Sequence, residues 1–251
     1  MKRAYRSIDE LDGFSKKSRL KWRLVLFAVI LIFLINIVIG YLILSGPKRS
    51  GLEAAVVKIH NTTAVGTGFF VSEKYVLTAA HVAGAVDNQV SLENAEGMMW
   101  NGKVIASGYP EWQKFLTGQG QVSPGATVHD WALIEIETHA EDLVPLVVGA
   151  VADAYQGAAV FLAGHPQGQP LTVTKGVISR IEGEEILTDG EIDPGFSGGP
   201  MIMVEDDNSL PGDGMVVGIV VSMPQGMTTV KTAVPIDVVV NKCRDAGFEL
   251  F

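Results

Sequence analysis

Three residues in separate segments have the side-chain types that nucleophilic hydrolysis needs: a serine, a histidine and an aspartate. Ser197 lies in the segment 188–200 and is surrounded by Gly195, Gly198 and Gly199. Glycines there let the backbone turn tightly, bring amide N–H groups together and leave room for a substrate carbonyl. The whole segment lies between two strand patterns and is less apt to arise by chance than a four-residue motif. Ser197 is therefore the strongest candidate for a nucleophile.

His81 and Asp130 could serve the proton transfers of such a serine. His81 follows Thr78, Ala79 and Ala80, whose small side chains would let an imidazole lie in a cleft between packed strands. An aspartate that opens an apolar segment, as Asp130 does, is by itself typical of a turn or a strand end. A buried aspartate, however, orients a catalytic imidazole and stabilises its charged form. We therefore expect Asp130 to pair with His81. The other histidines are expected to be structural or solvated: His60, His129, His139 and His165.

The elements that must position these residues read as strands. Short β-branched and apolar runs separated by Gly, Pro, Asn and Asp follow Leu52, which is typical of an all-β barrel or sandwich. The clearest runs are 55–59, 68–71, 132–136, 159–162 and 215–221. A helix is predicted only near the end, where Pro235 and Asp237 open a pattern that runs through Arg244. Two longer segments, 110–129 and 205–214, interrupt the strands and are expected to be surface insertions.

The amino-terminal part has a different composition. The run from Leu24 to Leu44 carries no charge, and Asn36 is its one strongly polar residue. A helix of about 21 such residues is about 31 Å long, enough to cross the hydrocarbon layer of a membrane. A cleaved signal peptide also places a basic region before an apolar one, but its apolar part is usually about 7 to 15 residues long. The sequence therefore favours a retained transmembrane helix over a signal peptide.

The charges around this run predict its orientation. Eight basic residues precede Leu24, whereas only Lys48 and Arg49 follow Leu44 closely. The positive-inside rule then keeps the amino terminus in the cytoplasm and puts the rest outside. The net charge of −9 divides into about +5 for residues 1–23 and about −14 for the remainder, which disfavours binding to nucleic acid or anionic lipid. The single cysteine, Cys243, cannot form an internal disulfide and fits the apolar pattern of the last segment, so we expect it to be packed.

These segments resemble those of the trypsin-like serine proteases and, among them, the HtrA (DegP-like) branch. The resemblance rests on the order His81, Asp130, Ser197 and on the residues around the nucleophile: Thr188-Asp189 through Ile192, Pro194-Gly195 and Ser197-Gly198-Gly199-Pro200. It runs from about Ala54 to Val240 and includes the segments 164–168, 173–179 and 233–235. The predicted organisation is a basic cytoplasmic leader (1–23), a transmembrane helix (24–44), a linker (45–53) and a protease domain (54–251).

The resemblance implies a fold and a mechanism. The fold is two packed six-stranded antiparallel β-barrels, with His81 and Asp130 from the first and Ser197 from the second. Ser197 would attack the scissile carbonyl, His81 would take and return the proton, and Asp130 would hold the imidazole tautomer. The amide groups of Gly195 and Ser197 would form the oxyanion hole. A polypeptide is the implied substrate, and neither a metal nor an organic cofactor is implied. The predicted location is the bacterial plasma membrane, with the protease domain in the periplasm or outside the cell.

The resemblance also suggests which residues select the side chain before the cut, namely Glu191, Ile192, Val221, Ser222 and Met223. Glu191 falls where trypsin carries the acid that selects Arg and Lys. In HtrA-like members Ile192 would face the pocket instead, and an apolar lining favours Val, Ala, Leu or Ile because a buried basic side chain without a carboxylate partner is costly. We expect the aliphatic preference, and a basic preference is the alternative.

Two departures from the family pattern stand out. Phe196 occupies the position before the nucleophile, where digestive members carry Asp and HtrA members usually Asn, so the means of ordering this loop is in question. The chain ends about a dozen residues past the last family motif, so we expect no PDZ domain after it. The rival function is a catalytically silent protein that uses the fold to hold peptides. An esterase with the same triad is disfavoured by the order of the motifs, His81, Asp130 and then Ser197.

Overall fold

The computed structural model describes most of the chain, which divides into two units, residues 1–48 and 49–251. The described residues are 21, 25–27, 29–37, 51–62, 64–117, 126–140, 143–205, 209–221 and 231–251. In the first unit, residues 25–27 and 29–37 are helical and have exposed side chains. The rest of the predicted transmembrane run (24, 28 and 38–44) lies outside the described residues. Within the part that is described, no helix is long and apolar enough to cross a membrane.

The first β-barrel of the second unit is closed by six antiparallel strands in the order β1-β2-β3-β6-β5-β4. A one-turn helix, α1 (Leu52–Ala55), precedes it. The strands are β1 (Val56–His60), β2 (Val65–Phe70), β3 (Tyr75–Thr78), β4 (Gln89–Asn94), β5 (Met99–Ser107) and β6 (Ala132–Ile136). Two helices lie within its connections, α2 (Ala80–Ala83) after β3 and α3 (Tyr109–Leu116) after β5. A 3-10 turn, Ala126–His129, leads into Asp130 and β6.

The second barrel is closed by six antiparallel strands in the order β10-β11-β12-β9-β8-β7. The strands are β7 (Ala159–Gly164), β8 (Thr172–Glu182), β9 (Glu185–Thr188), β10 (Pro200–Met203), β11 (Met215–Val221) and β12 (Lys231–Pro235). The chain ends on helix α4 (Ile236–Asp245). Short 3-10 turns occupy Val151–Asp153, Pro166–Gly168 and Pro211–Asp213. The predicted fold of two six-stranded antiparallel barrels with a C-terminal helix is confirmed.

Three apolar clusters hold this unit together. One fills each barrel, and the third lies between them, where Phe69 and Leu133 of the first barrel meet Ile219 and Val234 of the second. Continuous β-branched runs such as Met215–Val221 suit strands that are buried on both faces, and six of the seven residues of β11 are buried. The cleft between the barrels is the place where residues of both can meet.

The segment 110–129 differs from the expected irregular insertion. Its first part belongs to helix α3, and Trp112 on that helix is among the most buried large side chains, with 2% of its surface exposed. An isolated eight-residue helix is marginal in water, so this one depends on packing rather than on propensity. Residues 118–125 of the segment lie outside the described residues, as do 206–208 of the acidic segment 205–214.

Candidate active site

His81 and Asp130 form a close pair in the first barrel. The Nδ1 atom of His81 lies 2.6 Å from Oδ2 of Asp130, and the backbone N–H of His81 donates to Oδ1 at 2.9 Å. Asp130 is fully buried, whereas 28% of the His81 side chain is exposed. The carboxylate therefore fixes both the ring and the backbone of His81, and the imidazole can still be reached from the cleft.

The short helices α2 and α3 shape the surroundings of His81. His81 lies on α2, directly after β3, and the ring of Trp112 from α3 lies 6.0 Å from the imidazole, centroid to centroid. Burial lowers the pKa of His81, but the charge of Asp130 and its hydrogen bond raise it, and the net pKa lies above the ordinary value of 6.5. The pair thus stabilises the imidazolium that a general base forms in the transition state.

The segment around Ser197 approaches the first barrel closely. The backbone N–H of Thr67 in β2 donates to the carbonyl of Ser197 at 2.9 Å. A Cβ atom added to Gly198 would lie 2.2 Å from Oγ1 of Thr78 and 2.8 Å from the amide of Ala79. One added to Gly66 would meet the side chain of Val82 and, at 3.0 Å, the carbonyl of Ser197. The Ser197 segment thus packs against β2 and against the residues that lead into α2, where His81 lies, and the flanking glycines make this approach possible.

Gly195 has the conformation that its place in this loop requires. Its φ is +108°, which favours glycine, and a Cβ there would lie 2.2 Å from the carbonyl of His165. Two hydrogen bonds hold the carbonyls on either side of it: Gln167 N–H donates to Pro194 at 2.7 Å, and Gly199 N–H donates to Phe196 at 2.8 Å. Because N–H and C=O point in opposite directions across a trans peptide, these bonds direct the amides of Gly195 and Ser197 away from the carbonyl partners. This orientation is compatible with the oxyanion hole predicted at these two amides.

Phe196 anchors the loop in the core of the second barrel. Its side chain is 1% exposed and belongs to the apolar cluster of the second barrel, together with Leu162 and Ile178. Gly164 lies directly against it, since a Cβ on Gly164 would come within 2.8 Å of the Phe196 ring. An apolar anchor thus occupies the position directly before Ser197.

Three of the five residues predicted to contact substrate lie among the described residues, and their surroundings differ. Glu191 is exposed, and its carbonyl accepts a hydrogen bond from Thr174 Oγ1 at 2.7 Å. Ile192 is half-buried and packs against the second-barrel cluster, while Val221 is fully buried at the end of β11. Ser222 and Met223 lie outside the described residues.

The remaining candidates have structural surroundings. Cys243 is buried on α4, and burial raises the pKa of its thiol to about 12, so a packed rather than a reactive role fits it. His165 is 3% exposed, and burial lowers its pKa below 6.5. Its Nδ1 lies 3.1 Å from the carbonyl of Gln169.

Sequence reasoning missed Trp112 and Thr67. Trp112 lies in a segment read as an insertion, although the spacing of Tyr109 and Trp112 is that of a helix face. Thr67 lies between two glycines, directly before the predicted strand run 68–71. Nothing in that short stretch indicates which distant groups its hydroxyl meets.

Comparison with known proteins gives the class of this chain. Residues 66–219 match the family described as the trypsin-like peptidase domain. This range covers more than half of the chain, and the chain therefore belongs to that family.

Individual relatives refine the comparison. The chain is 34% identical over 151 residues to Protease Do-like 4, mitochondrial, of Arabidopsis thaliana, an alignment that covers 55% of this chain and 25% of that protein. It is 30% identical over 197 residues to the probable periplasmic serine endoprotease DegP-like of Hahella chejuensis, covering 72% and 36%. The chain thus spans about a quarter to a third of the length of these relatives. The crystal structure of the Rv3671c protease, inactive form, has the same fold, with a TM-score of 0.58 at 21% identity over 82% of this chain and 96% of that one.

Proposed function

We propose that the chain is a serine endopeptidase in which Ser197, His81 and Asp130 form the catalytic triad. The observation that carries this proposal is the buried Asp130 carboxylate bonded to His81 through both Nδ1 and the backbone N–H, together with the packing of the Ser197 segment on β2, Thr78 and Ala79. Membership of the trypsin-like peptidase domain family and relatives named as serine endoproteases support it.

The geometry suggests a catalytic role for each of these residues. His81, with its Nδ1 proton held by Asp130, takes the proton of Ser197 Oγ through Nε2 as that oxygen attacks the scissile carbonyl. The amides of Gly195 and Ser197 stabilise the oxyanion, and His81 then gives the proton to the leaving amine. Water, activated by His81 in the same way, hydrolyses the acyl-enzyme ester and releases the acid with Ser197 restored.

Replacement of Ser197 by Ala tests the proposal. Turnover of a peptide substrate should fall on the order of 10⁴- to 10⁶-fold, while the circular dichroism spectrum and melting temperature stay close to those of the wild type. Wild-type turnover in the variant would refute the nucleophile. A wild-type protein that binds peptides without cleaving any would favour the catalytically silent alternative.

We also propose that residues 24–44 anchor the protease to a membrane, with residues 1–23 in the cytoplasm and the substrates outside it. The support is the sequence: an uncharged apolar run long enough to span, with the basic residues concentrated before it. A bacterial plasma membrane fits the resemblance to the HtrA branch, and the Hahella chejuensis relative is itself named periplasmic.

For specificity, we propose that the protease cuts after small and aliphatic residues. Ile192 packs on the second barrel near Ser197 in sequence, whereas Glu191 is exposed and joined to Thr174 through its backbone. A carboxylate in open solvent gives a basic side chain little stabilisation. Cleavage of a peptide library should therefore occur mainly after Val, Ala, Leu or Ile, and Glu191→Ala should leave this preference unchanged. Cleavage mainly after Arg or Lys, lost in Glu191→Ala, would contradict it.

A further inference from the structure

Thr67 uses every polar atom it has in hydrogen bonds, and three of these four bonds join the two barrels. It lies in β2 and is fully buried. Its N–H donates to the carbonyl of Ser197 at 2.9 Å, and its own carbonyl accepts a hydrogen bond from Thr78 Oγ1 at 2.6 Å. Its hydroxyl donates to the carbonyl of Gly195 at 2.6 Å and accepts the N–H of His165 at 2.9 Å. One first-barrel residue is therefore bonded to the nucleophile loop, to the end of β7 and to the strand that leads to His81.

Gly198 and Gly199 have no side chain and so leave the space that Thr67 needs for this contact. A Cβ on Gly198 would lie 2.1 Å from the Thr67 carbonyl, and one on Gly199 would lie 3.2 Å from its Cγ2 methyl group. These separations are shorter than van der Waals contact, so a larger residue at either place would push Thr67 and the loop apart. The approach of Thr67 is thus part of the fold of the loop.

The two hydroxyl bonds act on the peptide groups that define the proposed oxyanion hole. The carbonyl of Gly195 belongs to the peptide between the two proposed donors, Gly195 N–H and Ser197 N–H, so fixing it limits rotation of both neighbouring peptides. The bond from His165 N–H holds the turn Pro166–Gly168, and the N–H of Gln167 in that turn holds the carbonyl of Pro194. The Pro194–Gly195 peptide carries the first of the two donors. The hydroxyl therefore acts directly on one peptide group and, through His165 and Gln167, on another.

The backbone conformation of Gln167 indicates that surrounding contacts stabilise the turn Pro166–Gly168. Its φ is +52°, in the left-handed region that residues other than glycine rarely adopt. Such a conformation persists where the surrounding structure determines it. The bond between His165 N–H and the Thr67 hydroxyl lies two residues before Gln167 and supplies one of these constraints.

We propose that Thr67 is a positioning residue that preorganises the oxyanion hole through its hydroxyl. The inference rests on the proposed function, because it assigns Thr67 a part in stabilising the tetrahedral intermediate at Gly195 and Ser197. The hydroxyl acts on the groups that bind the tetrahedral intermediate rather than on those that bind the substrate in its ground state. Its loss should therefore lower kcat and the affinity for transition-state analogues.

A hydroxyl-specific series of variants tests the proposal. Thr67→Val replaces the hydroxyl by a methyl group at nearly constant volume, and Thr67→Ser keeps the hydroxyl but removes the methyl group. At a temperature where both are folded, Thr67→Val should lower kcat about 10- to 100-fold with KM within about threefold of the wild type. Its affinity for a peptidyl aldehyde, which forms a tetrahedral adduct, should fall by a similar factor. Thr67→Ser should remain within about threefold of the wild type in all three quantities.

Controls separate this inference from simple loss of stability. Thr232→Val makes the same hydroxyl-to-methyl change at a buried hydroxyl that has no hydrogen-bond partner among the described residues, and it should leave kcat unchanged. If Thr67→Val does not fold, Thr67→Cys tests the same point, because a thiol is a weak donor and acceptor, and its kcat should again fall below that of Thr67→Ser.

The outcomes distinguish this proposal from the proposed function. A folded Thr67→Val with wild-type kcat and aldehyde affinity would overturn the role of Thr67, as would equal losses in Thr67→Val and Thr67→Ser. In both cases Ser197→Ala would still abolish turnover. A wild-type protein without turnover, or an active Ser197→Ala, would instead overturn the proposed function itself.

Discussion

At the scale of single residues, the environment of His81 sets the conditions under which it can act as a base. Burial alone would lower its pKa and make the ring a weaker base, but Asp130 contributes a charge and a hydrogen bond that more than offset this effect. The pKa of His81 is therefore raised, and its neutral form dominates only above the ordinary value of 6.5. Full burial of Asp130 keeps water from competing for the carboxylate.

We predict that kcat/KM rises with pH through the raised pKa of His81 and then reaches a plateau, because only the neutral imidazole accepts the proton of Ser197. Asp130→Asn should lower kcat on the order of 10⁴-fold, since the amide favours the wrong tautomer. It should also move the titration of His81 to lower pH, because burial then acts without the opposing charge. NMR titration of the imidazole in both proteins checks the shift. An unchanged or higher pKa in Asp130→Asn would contradict the pairing.

The same shift has a consequence for folding. Because the folded-state pKa of His81 lies above its unfolded value, the pair adds stability that is fully present below about pH 6.5 and is lost as the pH rises through the folded-state pKa. His165 acts in the opposite sense: burial lowers its pKa, so its contribution is present above about pH 6.5 and is lost as the pH falls. The two histidines therefore oppose each other in the pH dependence of stability.

At the scale of elements, the loop 193–199 is held by its neighbours on two sides. Thr67 holds it from β2 of the first barrel, and Phe196 holds it from the core of the second. Apolar burial does not require a charged partner, so this loop can be ordered without one. Burial of Phe196 is therefore a means of ordering this loop without a polar residue directly before Ser197.

Phe196→Ala should cost about 3–5 kcal/mol of unfolding free energy, because it opens a cavity in the second-barrel core. It should also lower kcat more than tenfold at temperatures where the protein remains folded, because the loop loses its anchor. Ile178→Ala is the matched control: Ile178 is fully buried in the same cluster but lies on β8, away from the loop. Chemical denaturation and steady-state kinetics of both variants check the prediction. Equal kcat values in the two variants would make Phe196 an ordinary core residue.

Several elements could be predicted because their signals are local. The bounds of β6 and β11 agree with the runs 132–136 and 215–221, since short stretches rich in large apolar and β-branched residues favour strands. Helix α4 follows from Pro235 at its start and Gly247 after its end. Helix α3 was not predicted, because it depends on the burial of Trp112 beside His81, which is a tertiary contact.

The candidate site divides in the same way. Ser197, His81 and Asp130 lie in distinctive local sequences, so their types and surroundings could be recognised. The role of Thr67 could not be predicted, because its hydroxyl is hydrogen-bonded to Gly195 and His165, which lie 128 and 98 positions away in the chain. Such a network exists only after both barrels have formed.

At the scale of the whole molecule, the proposed anchor decides which substrates the protease can meet. Eight basic residues precede residue 24, whereas only Lys48 and Arg49 closely follow residue 44, and this is the asymmetry that orients single-span proteins. An acidic protease domain on the far side of the membrane would meet exported polypeptides rather than cytoplasmic ones.

A reporter enzyme that is active only outside the cytoplasm, fused after Phe251, should be active in cells that make the full chain. Deletion of residues 24–44 should abolish this activity and release the protein into the soluble cytoplasmic fraction, because the apolar run is what carries the chain across. A reporter that is inactive outside and active inside the cytoplasm would contradict both the orientation and the exported substrate pool.

The central claim is that Ser197 is a nucleophile activated by His81 and Asp130. Reaction with a fluorophosphonate tests it most directly, because the reagent forms a stable adduct only with an activated serine and needs no knowledge of the natural substrate. Mass spectrometry of the digested protein should place a single stoichiometric adduct on the peptide that contains Ser197, and His81→Ala should slow its formation by at least about 10³-fold. Absence of an adduct from a folded wild-type protein, or an adduct on Ser197 that forms equally fast in His81→Ala, would contradict the claim.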